Sequence, residues 1–132
     1  MELPGLEIIG MLHCDIKAPE DAPKNFDESE IVGTLEIYPQ YQEGLEGIES
    51  GQTIVVLFWL HKSNRDTLKV YPRGDTSRGL RGVFATRSPA RPNPIAVSEL
   101  KVLSIDENSI KVSGLDILNG TPIIDIKKKL NG

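Results

Sequence analysis

A proline-rich cationic segment, Gly82 to Ser98, holds the residues of this sequence that are best suited to binding chemistry. Arg87 and Arg91 lie on either side of Pro89, and three of the chain's nine prolines fall within six residues. Each proline fixes its own φ and biases the preceding residue towards extended backbone. Guanidinium groups on such a stiff backbone lose less freedom when they bind an anion. The segment therefore predicts an anion-binding loop, and a proline-stiffened turn with solvated arginines is the alternative.

Charge is distributed unevenly along the chain, whose net charge is −4. Residues 1–50 carry twelve acidic and two basic side chains, whereas residues 65–91 carry seven basic and two acidic ones. A basic middle segment in an acidic protein is a candidate footprint for a polyanion such as nucleic acid. The alternative is that the two segments neutralise each other in the fold.

The composition is that of a water-soluble globular protein. The chain has 132 residues, of which 39% are hydrophobic and 26% charged. Apolar runs are shorter than a membrane span, and the N-terminal residues do not resemble a signal peptide. Cys14 is the only cysteine, which excludes an internal disulfide and fits a reducing compartment. We therefore predict a single domain over residues 1–132, in the cytoplasm and without membrane contact.

The apolar pattern predicts mainly strands. Residues Ile31–Ile37 alternate with period two, and Thr53–Leu60 is a short continuous apolar run rich in β-branched and aromatic residues. The other predicted strands are Leu6–Leu12, Thr67–Tyr71, Val83–Ala85, Ile95–Ile105, Ser109–Ser113 and Ile123–Ile126. A short helical turn is predicted over Glu43–Glu49 and a loop over Pro72–Arg81. We expect an all-β fold in the main, a compact closed or partly open β-barrel with one short helical turn.

Several common catalytic motifs are absent from the sequence. His13, Cys14 and Asp15 are potential metal ligands, but adjacent residues on a strand point to opposite faces and chelate poorly together. The segment Arg78–Gly82 lacks the Lys-Ser/Thr ending of a phosphate-binding loop. A strained nucleophile elbow is also missing. We therefore predict no metal site and no covalent intermediate.

Two sequence blocks resemble the TsaA/TrmO family: GVFATRSPARPNPI at 82–95 and GLDILNGTPIIDIK at 114–127. The resemblance extends over nearly the whole chain. It implies a compact β-barrel that binds S-adenosylmethionine and methylates N6 of threonylcarbamoyladenosine at position 37 of tRNA. It also implies a homodimer with the site close to the subunit boundary. A non-catalytic barrel that binds S-adenosylmethionine or RNA is the alternative.

The resemblance also implies a cofactor site by motif position. The implied residues are Pro23, Lys24, Asn25, His61, Lys62, Arg87, Val97, Asp116, Ile117, Leu118 and Asn119. The sequence departs from the family pattern at Lys24, where an arginine is usual, and the two cations are not equivalent in bidentate recognition. It also has His13-Cys14-Asp15 where a basic-Ser-Pro triplet is usual, and Lys128-Lys129 where Pro-Tyr is usual.

Roles for individual residues are hypotheses that join the resemblance to chemistry. Asp116 would hydrogen-bond the ribose or amine of the cofactor, or else cap a turn. Arg87 would face the cofactor carboxylate or the RNA backbone. Phosphates of the anticodon loop would be contacted by Arg73, Arg78, Arg81 and Arg91. The proton acceptor is left open among Asp116, His61 and Tyr38, and His61 is alternatively an ordinary strand-end histidine.

Overall fold

A computed structural model describes residues 1–22 and 29–131 of the chain. The chain divides into two compact units, one formed by Met1–Phe58 with Val97–Gly132 and the other by Trp59–Ala96. The expectation of a single domain over residues 1–132 stays a prediction. No helix in the described ranges is both long enough and apolar enough to cross a membrane.

Six of the eight strands found in the described residues close into a barrel. The strands are β1 (Gly10–His13), β2 (Val32–Ile37), β3 (Thr53–Trp59), β4 (Lys69–Val70), β5 (Arg81–Gly82), β6 (Ile95–Asp106), β7 (Ser109–Ser113) and β8 (Pro122–Lys128). The order around the barrel is β1-β2-β7-β6-β3-β8. Pairing of Gly10 with Ile123 joins β8 to β1 and closes it. The predicted fold class is confirmed, and the barrel is closed rather than partly open.

The barrel interior is filled by alternate residues of each strand. In β3, Ile54, Val56 and Phe58 are buried, whereas the intervening residues are partly exposed. This alternation follows from the two-residue repeat of a β-strand, which sends successive side chains to opposite faces. Full burial of one large apolar side chain such as Phe58 stabilises the fold by about 1.5–3 kcal/mol. The interior packing therefore fixes the register of the strands that carry the site.

The hairpin between β6 and β7 differs from the prediction by one residue, since β6 extends to Asp106 rather than Ile105. β7 is Ser109–Ser113, and Glu107 in the connecting turn adopts a left-handed φ of 54°. Asn108 ties this turn to β2, because its Nδ2 donates to the carbonyl of Ile37 at 2.7 Å and its carbonyl accepts the Ile37 amide at 2.9 Å. The end of β2 is thereby anchored at the hairpin.

The helical turn lies earlier in the chain than the sequence predicts. It is a 3₁₀ turn over Pro39–Leu45, not Glu43–Glu49, and Leu45 is its buried residue. Pro39 occupies the first helical position, where its fixed φ favours the turn and its missing N–H costs nothing. The apolar spacing alone therefore gave the wrong bounds. Four further 3₁₀ turns of three residues each are present among the described residues.

The second unit is built around the short ladder between β4 and β5. Lys69 pairs with Gly82 and Val70 with Arg81. Two of the 3₁₀ turns, Pro72–Gly74 and Thr76–Arg78, lie between these strands, where a loop is predicted.

The strand predicted over Val83–Ala85 is wrong, because these residues form a 3₁₀ turn. The amide of Thr86 donates to the carbonyl of Val83 at 3.1 Å, and this bond closes the turn. Val83 is 1% exposed and Phe84 is 78% exposed. The turn buries one apolar residue and exposes the next to solvent. A run of three apolar residues in the sequence does not indicate this difference in exposure.

Candidate functional site

The Asn-Gly turn before β8 is fastened to the end of β1. The Cys14 amide donates to Oδ1 of Asn119 at 2.9 Å, and the Asn119 amide donates to the carbonyl of Ile16 at 2.7 Å. The Gly120 amide donates to the carbonyl of Leu12 at 2.8 Å. Gly120 has a φ of 83°, which favours glycine because other residues pay a steric cost there. The turn is therefore a rigid part of the barrel wall.

Two residues of the same segment, Ile117 and Leu118, contribute mainly to structure. Ile117 is 8% exposed, and its carbonyl accepts the Cys14 thiol at 3.4 Å. The hydroxyl of Thr121 donates to the carbonyl of Leu118 at 2.7 Å. Burial raises the pKa of the Cys14 thiol, so this cysteine is an unreactive core residue.

Asp116 is the half-buried carboxyl at the start of this segment. Burial raises its pKa, and a hydrogen bond to its own backbone and one to the buried Ser98 side chain partly offset that effect. No cation of the described residues contributes to the shift. A carboxylate in such surroundings is stabilised when a ligand brings a positive charge or hydrogen-bond donors to it. Asp116 therefore has the chemistry of a ligand-binding group.

Ser29 lies beside the Asp116 segment. Its hydroxyl donates to the carbonyl of Leu115 at 2.6 Å, and the Leu115 amide donates to the carbonyl of Ile31 at 3.2 Å. Ser29 is the first described residue after residue 22. The predicted cofactor residues Pro23, Lys24 and Asn25 lie outside the described residues.

An open groove of about 530 Å³ runs along the ends of β1 and β2. Its lining residues are His13, Cys14, Asp15, Lys17, Val32, Gly33, Thr34 and Asn119. At Gly33 a side chain would collide with the wall, because its Cβ would lie 2.6 Å from Cδ1 of Leu115 and 2.7 Å from the carbonyl oxygen of His13. Among the predicted cofactor residues, Asn119 lines this groove. Gly33 and Lys17 have no signal in the sequence that marks them as groove residues.

Tyr38 and Asp116 lie at opposite ends of the β2–β7 ladder. Val32 pairs with Ser113, three residues before Asp116, whereas Tyr38 follows the far end of β2. Six residues of extended chain span about 20 Å. The structure therefore does not bring these two candidate proton acceptors together.

Val97, another predicted cofactor residue, is a 45% exposed residue of β6.

The remaining predicted cofactor residues belong to the second unit. His61 and Lys62 follow Leu60 at the end of β3 and are exposed, as is Arg87. The two ends of the unit are joined, because the Leu60 amide donates to the carbonyl of Pro94 at 2.8 Å. These three side chains are therefore available to a ligand on the surface of this unit.

Arg91 is used within the proline-rich segment itself. Its Nη1 donates to the carbonyls of Thr86 at 3.2 Å and Ser88 at 3.0 Å, and its amide donates to the carbonyl of Asn64 at 3.0 Å. The side chain is half-buried. Its guanidinium therefore holds the loop in shape, and the predicted phosphate contact has to use its other N–H groups.

Arg65 is a positioning residue that the sequence does not reveal. Its Nε donates to the carbonyl of Pro92 at 2.7 Å, and its Nη2 donates to Oδ1 of Asn93 at 3.2 Å. The guanidinium also stacks over the ring of Trp59, 5.2 Å from the centroid. Proline has no backbone N–H to donate, so its carbonyl is the main-chain group that can bind a neighbouring side chain. Arginine carries only donors and can therefore hold the segment through the carbonyl of Pro92.

The second unit carries the positive charge of the protein. Residues 59–96 contain eight basic and two acidic side chains, against seven and seventeen in the rest of the chain. The three remaining predicted RNA contacts, Arg73, Arg78 and Arg81, are all exposed. Arg78 pairs with Asp75 at 3.4 Å. Across residues 1–22 and 29–131, no three His, Cys, Asp or Glu side chains are grouped to hold a metal.

Similarity to a solved structure defines the class of the molecule. The fold matches the crystal structure of TrmO from Pseudomonas aeruginosa with a TM-score of 0.79 and 29% identity, over 98% of this chain and 57% of that one. The chain is thus a β-barrel domain of the TrmO type. Residues 11–131 match the family described as the tRNA-methyltransferase O N-terminal domain, and the chain belongs to that family. The predicted family is confirmed.

Two similar sequences come from archaea. An S-adenosyl-L-methionine-binding protein of Archaeoglobus fulgidus is 44% identical over 123 residues, covering 93% of this chain and 87% of its own length. A probable S-adenosyl-L-methionine-binding protein of Methanocaldococcus jannaschii is 47% identical over 105 residues, covering 76% of this chain and 83% of its own. The chain spans little more than half of the solved TrmO chain. The names of the relatives agree with the predicted cofactor.

Proposed function

We propose that this protein binds S-adenosylmethionine and transfers its methyl group to N6 of threonylcarbamoyladenosine at position 37 of tRNA. The observation that carries the proposal is the family match over residues 11–131, together with a relative of 44% identity that is named for binding this cofactor. We further propose a cytoplasmic homodimer, as the family resemblance implies.

Asp116 has the surroundings that such a cofactor requires. The cofactor carries a sulfonium and an amine. Burial disfavours the ionised Asp116 carboxyl, and a positive charge beside it would stabilise that ionised form. The rigid Asn119–Gly120 turn holds the backbone of this segment in place. The proposed contacts of the first unit are Asp116 and Asn119 by side chain, Ile117 and Leu118 by backbone, and Val97 by its exposed side chain.

The other proposed contacts are Pro23, Lys24, Asn25, His61, Lys62 and Arg87, each to be tested by its own variant. Arg87 is exposed in the cationic unit and can pair with a carboxylate or a phosphate. Arg73, Arg78, Arg81 and Arg91 are proposed to contact the phosphates of tRNA and position its anticodon loop.

Bound S-adenosylmethionine supplies an electrophilic methyl group on sulfur. The protein's own task is to hold the acceptor nitrogen in line with that methyl group and to exclude competing orientations. The nitrogen must also lose a proton. The proposed acceptors are Asp116, His61 and Tyr38. Burial raises the pKa of the Asp116 carboxyl, which makes it a stronger base than an ordinary aspartate as long as no cation is paired with it.

A second candidate function is a binding module without catalysis. It is favoured by the names of the archaeal relatives, which state binding of S-adenosyl-L-methionine and no reaction. Enzyme and module would both bind the cofactor, so binding alone does not separate them.

Methyl transfer distinguishes the two candidates. The purified protein is incubated with cofactor radiolabelled in its methyl group and with tRNA that carries threonylcarbamoyladenosine, and tRNA lacking that modification serves as the control. We expect label only in the modified tRNA. Calorimetric binding of the cofactor without label in any RNA would favour the binding module. Absence of binding heat for the cofactor and its demethylated product would contradict both.

A further inference from the structure

The β4–β5 hairpin of the second unit presents large apolar side chains to solvent. Leu68 is 62% exposed, Tyr71 42%, Leu80 50% and Phe84 78%. Single exposed apolar residues are ordinary, but a group of four in one hairpin indicates a binding surface. Val83, buried at 1% next to Phe84, anchors the chain so that Phe84 is held outward on a fixed backbone.

The register of the hairpin places several of these residues on one face. Lys69 pairs with Gly82, and residues directly opposite each other share a face of the sheet. Because side chains alternate along a strand, Tyr71 and Leu80 belong to the same face as that pair. Gly82 leaves a flat gap in it, since an added Cβ would meet only the carbonyl oxygen of Leu68, at 4.0 Å. We call Lys69, Tyr71, Leu80 and Gly82, together with Phe84 two residues after Gly82 in the chain, the hairpin face.

Cations surround the hairpin face. Lys69 belongs to the face itself, and Arg78 and Arg73 lie in the exposed turns between the strands. Arg81 pairs with Val70 and therefore belongs to the opposite face. The second unit carries eight basic and two acidic side chains, so this surface repels a second copy of itself and attracts a polyanion. Exposed aromatic rings beside basic residues also provide the stacking surface that single-stranded nucleic acid requires. The mixture favours RNA over a second protein chain as the occupant.

We propose that the hairpin face is a stacking platform for unpaired bases of an RNA loop. Phe84 and Tyr71 supply the rings, the gap at Gly82 admits a base, and Lys69 and Arg78 contact the adjacent phosphates. Unpaired bases are required because bases within a duplex are already stacked on each other and hidden from side chains. This inference rests on the proposed tRNA substrate and extends it, since it adds aromatic contacts to the arginine contacts.

The test uses an anticodon stem-loop RNA that carries the fluorescent base 2-aminopurine in its loop. Anisotropy gives the affinity, and quenching of 2-aminopurine reports stacking. The variants are Phe84→Ala, Phe84→Leu and Phe84→Trp, and the matched control is Leu130→Ala, an equally exposed apolar residue at 80% in the other unit. Sedimentation velocity and calorimetry with S-adenosylmethionine check the oligomeric state and the folded cofactor site of every variant.

We expect Phe84→Ala and Phe84→Leu to weaken RNA binding about tenfold and to abolish quenching, because loss of one stacked base has an effect of this order. Phe84→Trp and Leu130→Ala should bind as the parent does. Replacing the loop bases by abasic sites should weaken binding to the parent protein but no longer to Phe84→Ala.

Other outcomes overturn the inference. If Phe84→Leu binds RNA as the parent does, the contact is apolar and no base is stacked. If Phe84→Ala changes the oligomeric state at unchanged RNA affinity, the hairpin face binds a second copy of the chain. If the parent protein methylates tRNA and Phe84→Ala does so equally well, the proposed stacking platform is wrong and the proposed function stands. If the parent protein binds no RNA, the proposed tRNA substrate fails with it.

Discussion

The backbone amide of Cys14 donates a 2.9 Å hydrogen bond to the side-chain oxygen of Asn119, which lies 105 residues further along the chain. This bond joins the end of β1 to the turn before β8, and two backbone bonds beside it reach Ile16 and Leu12. The turn that carries the proposed cofactor contacts is thus held by the first strand of the barrel.

Removing that side chain should destabilise the barrel. Asn119→Ala leaves the partly buried Cys14 amide without its acceptor, which costs about 1–3 kcal/mol of unfolding free energy. Urea unfolding measures the change, with Asn131→Ala, at an exposed position, as the control expected within about 0.5 kcal/mol of the parent. Equal stabilities of the two variants would show that Asn119 does not hold the turn.

Asp116→Asn should alter the pH dependence of stability. Burial raises the folded-state pKa of Asp116 above its ordinary value of 3.8, so the folded protein binds this proton more tightly than the unfolded chain. The resulting stabilisation is fully present below the unfolded pKa and is lost as pH rises through the folded pKa. Thermal melts from about pH 3 to about pH 7 should therefore show Asp116→Asn gaining stability relative to the parent, while exposed Asp106→Asn follows the parent. A constant difference between Asp116→Asn and the parent would contradict burial as the cause.

The same carboxyl should control the affinity for S-adenosylmethionine. A bound cation stabilises ionised Asp116, so affinity for the parent protein should rise with pH across the acidic range, and binding should release a proton. Asp116→Asn should bind about tenfold or more weakly at neutral pH and lose that slope, since hydrogen bonds to charged groups are worth about 1.5–3 kcal/mol. Calorimetry in buffers of different ionisation enthalpy measures both effects. An unchanged slope in the variant would exclude Asp116 from the cofactor site.

Gly33→Ala should be strongly destabilising. The new Cβ would approach Cδ1 of Leu115 to 2.6 Å and the carbonyl oxygen of His13 to 2.7 Å, and the backbone oxygen cannot move aside without disturbing β1. Such overpacking costs about 1–3 kcal/mol. Gly44→Ala is the matched control, because an added Cβ there meets no atom of the described residues within 4 Å. Chemical denaturation compares the two, and similar midpoints would show that the wall at Gly33 adapts.

Arg65→Lys should loosen the proline-rich segment. Lysine cannot reproduce the simultaneous bonds to the Pro92 carbonyl and Asn93 side chain, nor the stacking on Trp59. Hydrogen exchange at the Arg91 and Ile95 amides should become about tenfold faster, which corresponds to loss of about 1.4 kcal/mol of local stability.

The control for this loop experiment is Arg81→Lys, whose parent guanidinium donates to the neighbouring Leu80 carbonyl. It should leave exchange at the two reporter amides unchanged. Identical exchange in the Arg65→Lys variant would show that the prolines alone hold the segment.

Strands with a strict alternating or continuous apolar pattern could be predicted from the sequence. β7 has the predicted bounds and β3 ends one residue early, because burial on one or both faces dictates which residues face inward. β1 is shorter than predicted, starting at Gly10 rather than Leu6, which is 59% exposed. A local pattern does not show where a strand loses its partner.

The candidate site could be proposed from the sequence where a motif carries it, whereas the contacts between residues far apart in the chain could not. The block around Asp116 identified the family, and the arginines marked the charged unit. Arg65 and Gly33 gave no signal, since their partners lie 27 and 82 residues away in sequence. The placement of Tyr38 far from Asp116 likewise depends on strand register, which only the folded barrel reveals.

The junction between Leu60 and Pro94 has an evolutionary consequence. The segment between β3 and β6 leaves one barrel strand and returns into the neighbouring one, so its two ends lie side by side. Closing a short connection between adjoining ends costs little chain entropy. Changes in the length of this segment during evolution should therefore cost the barrel little free energy.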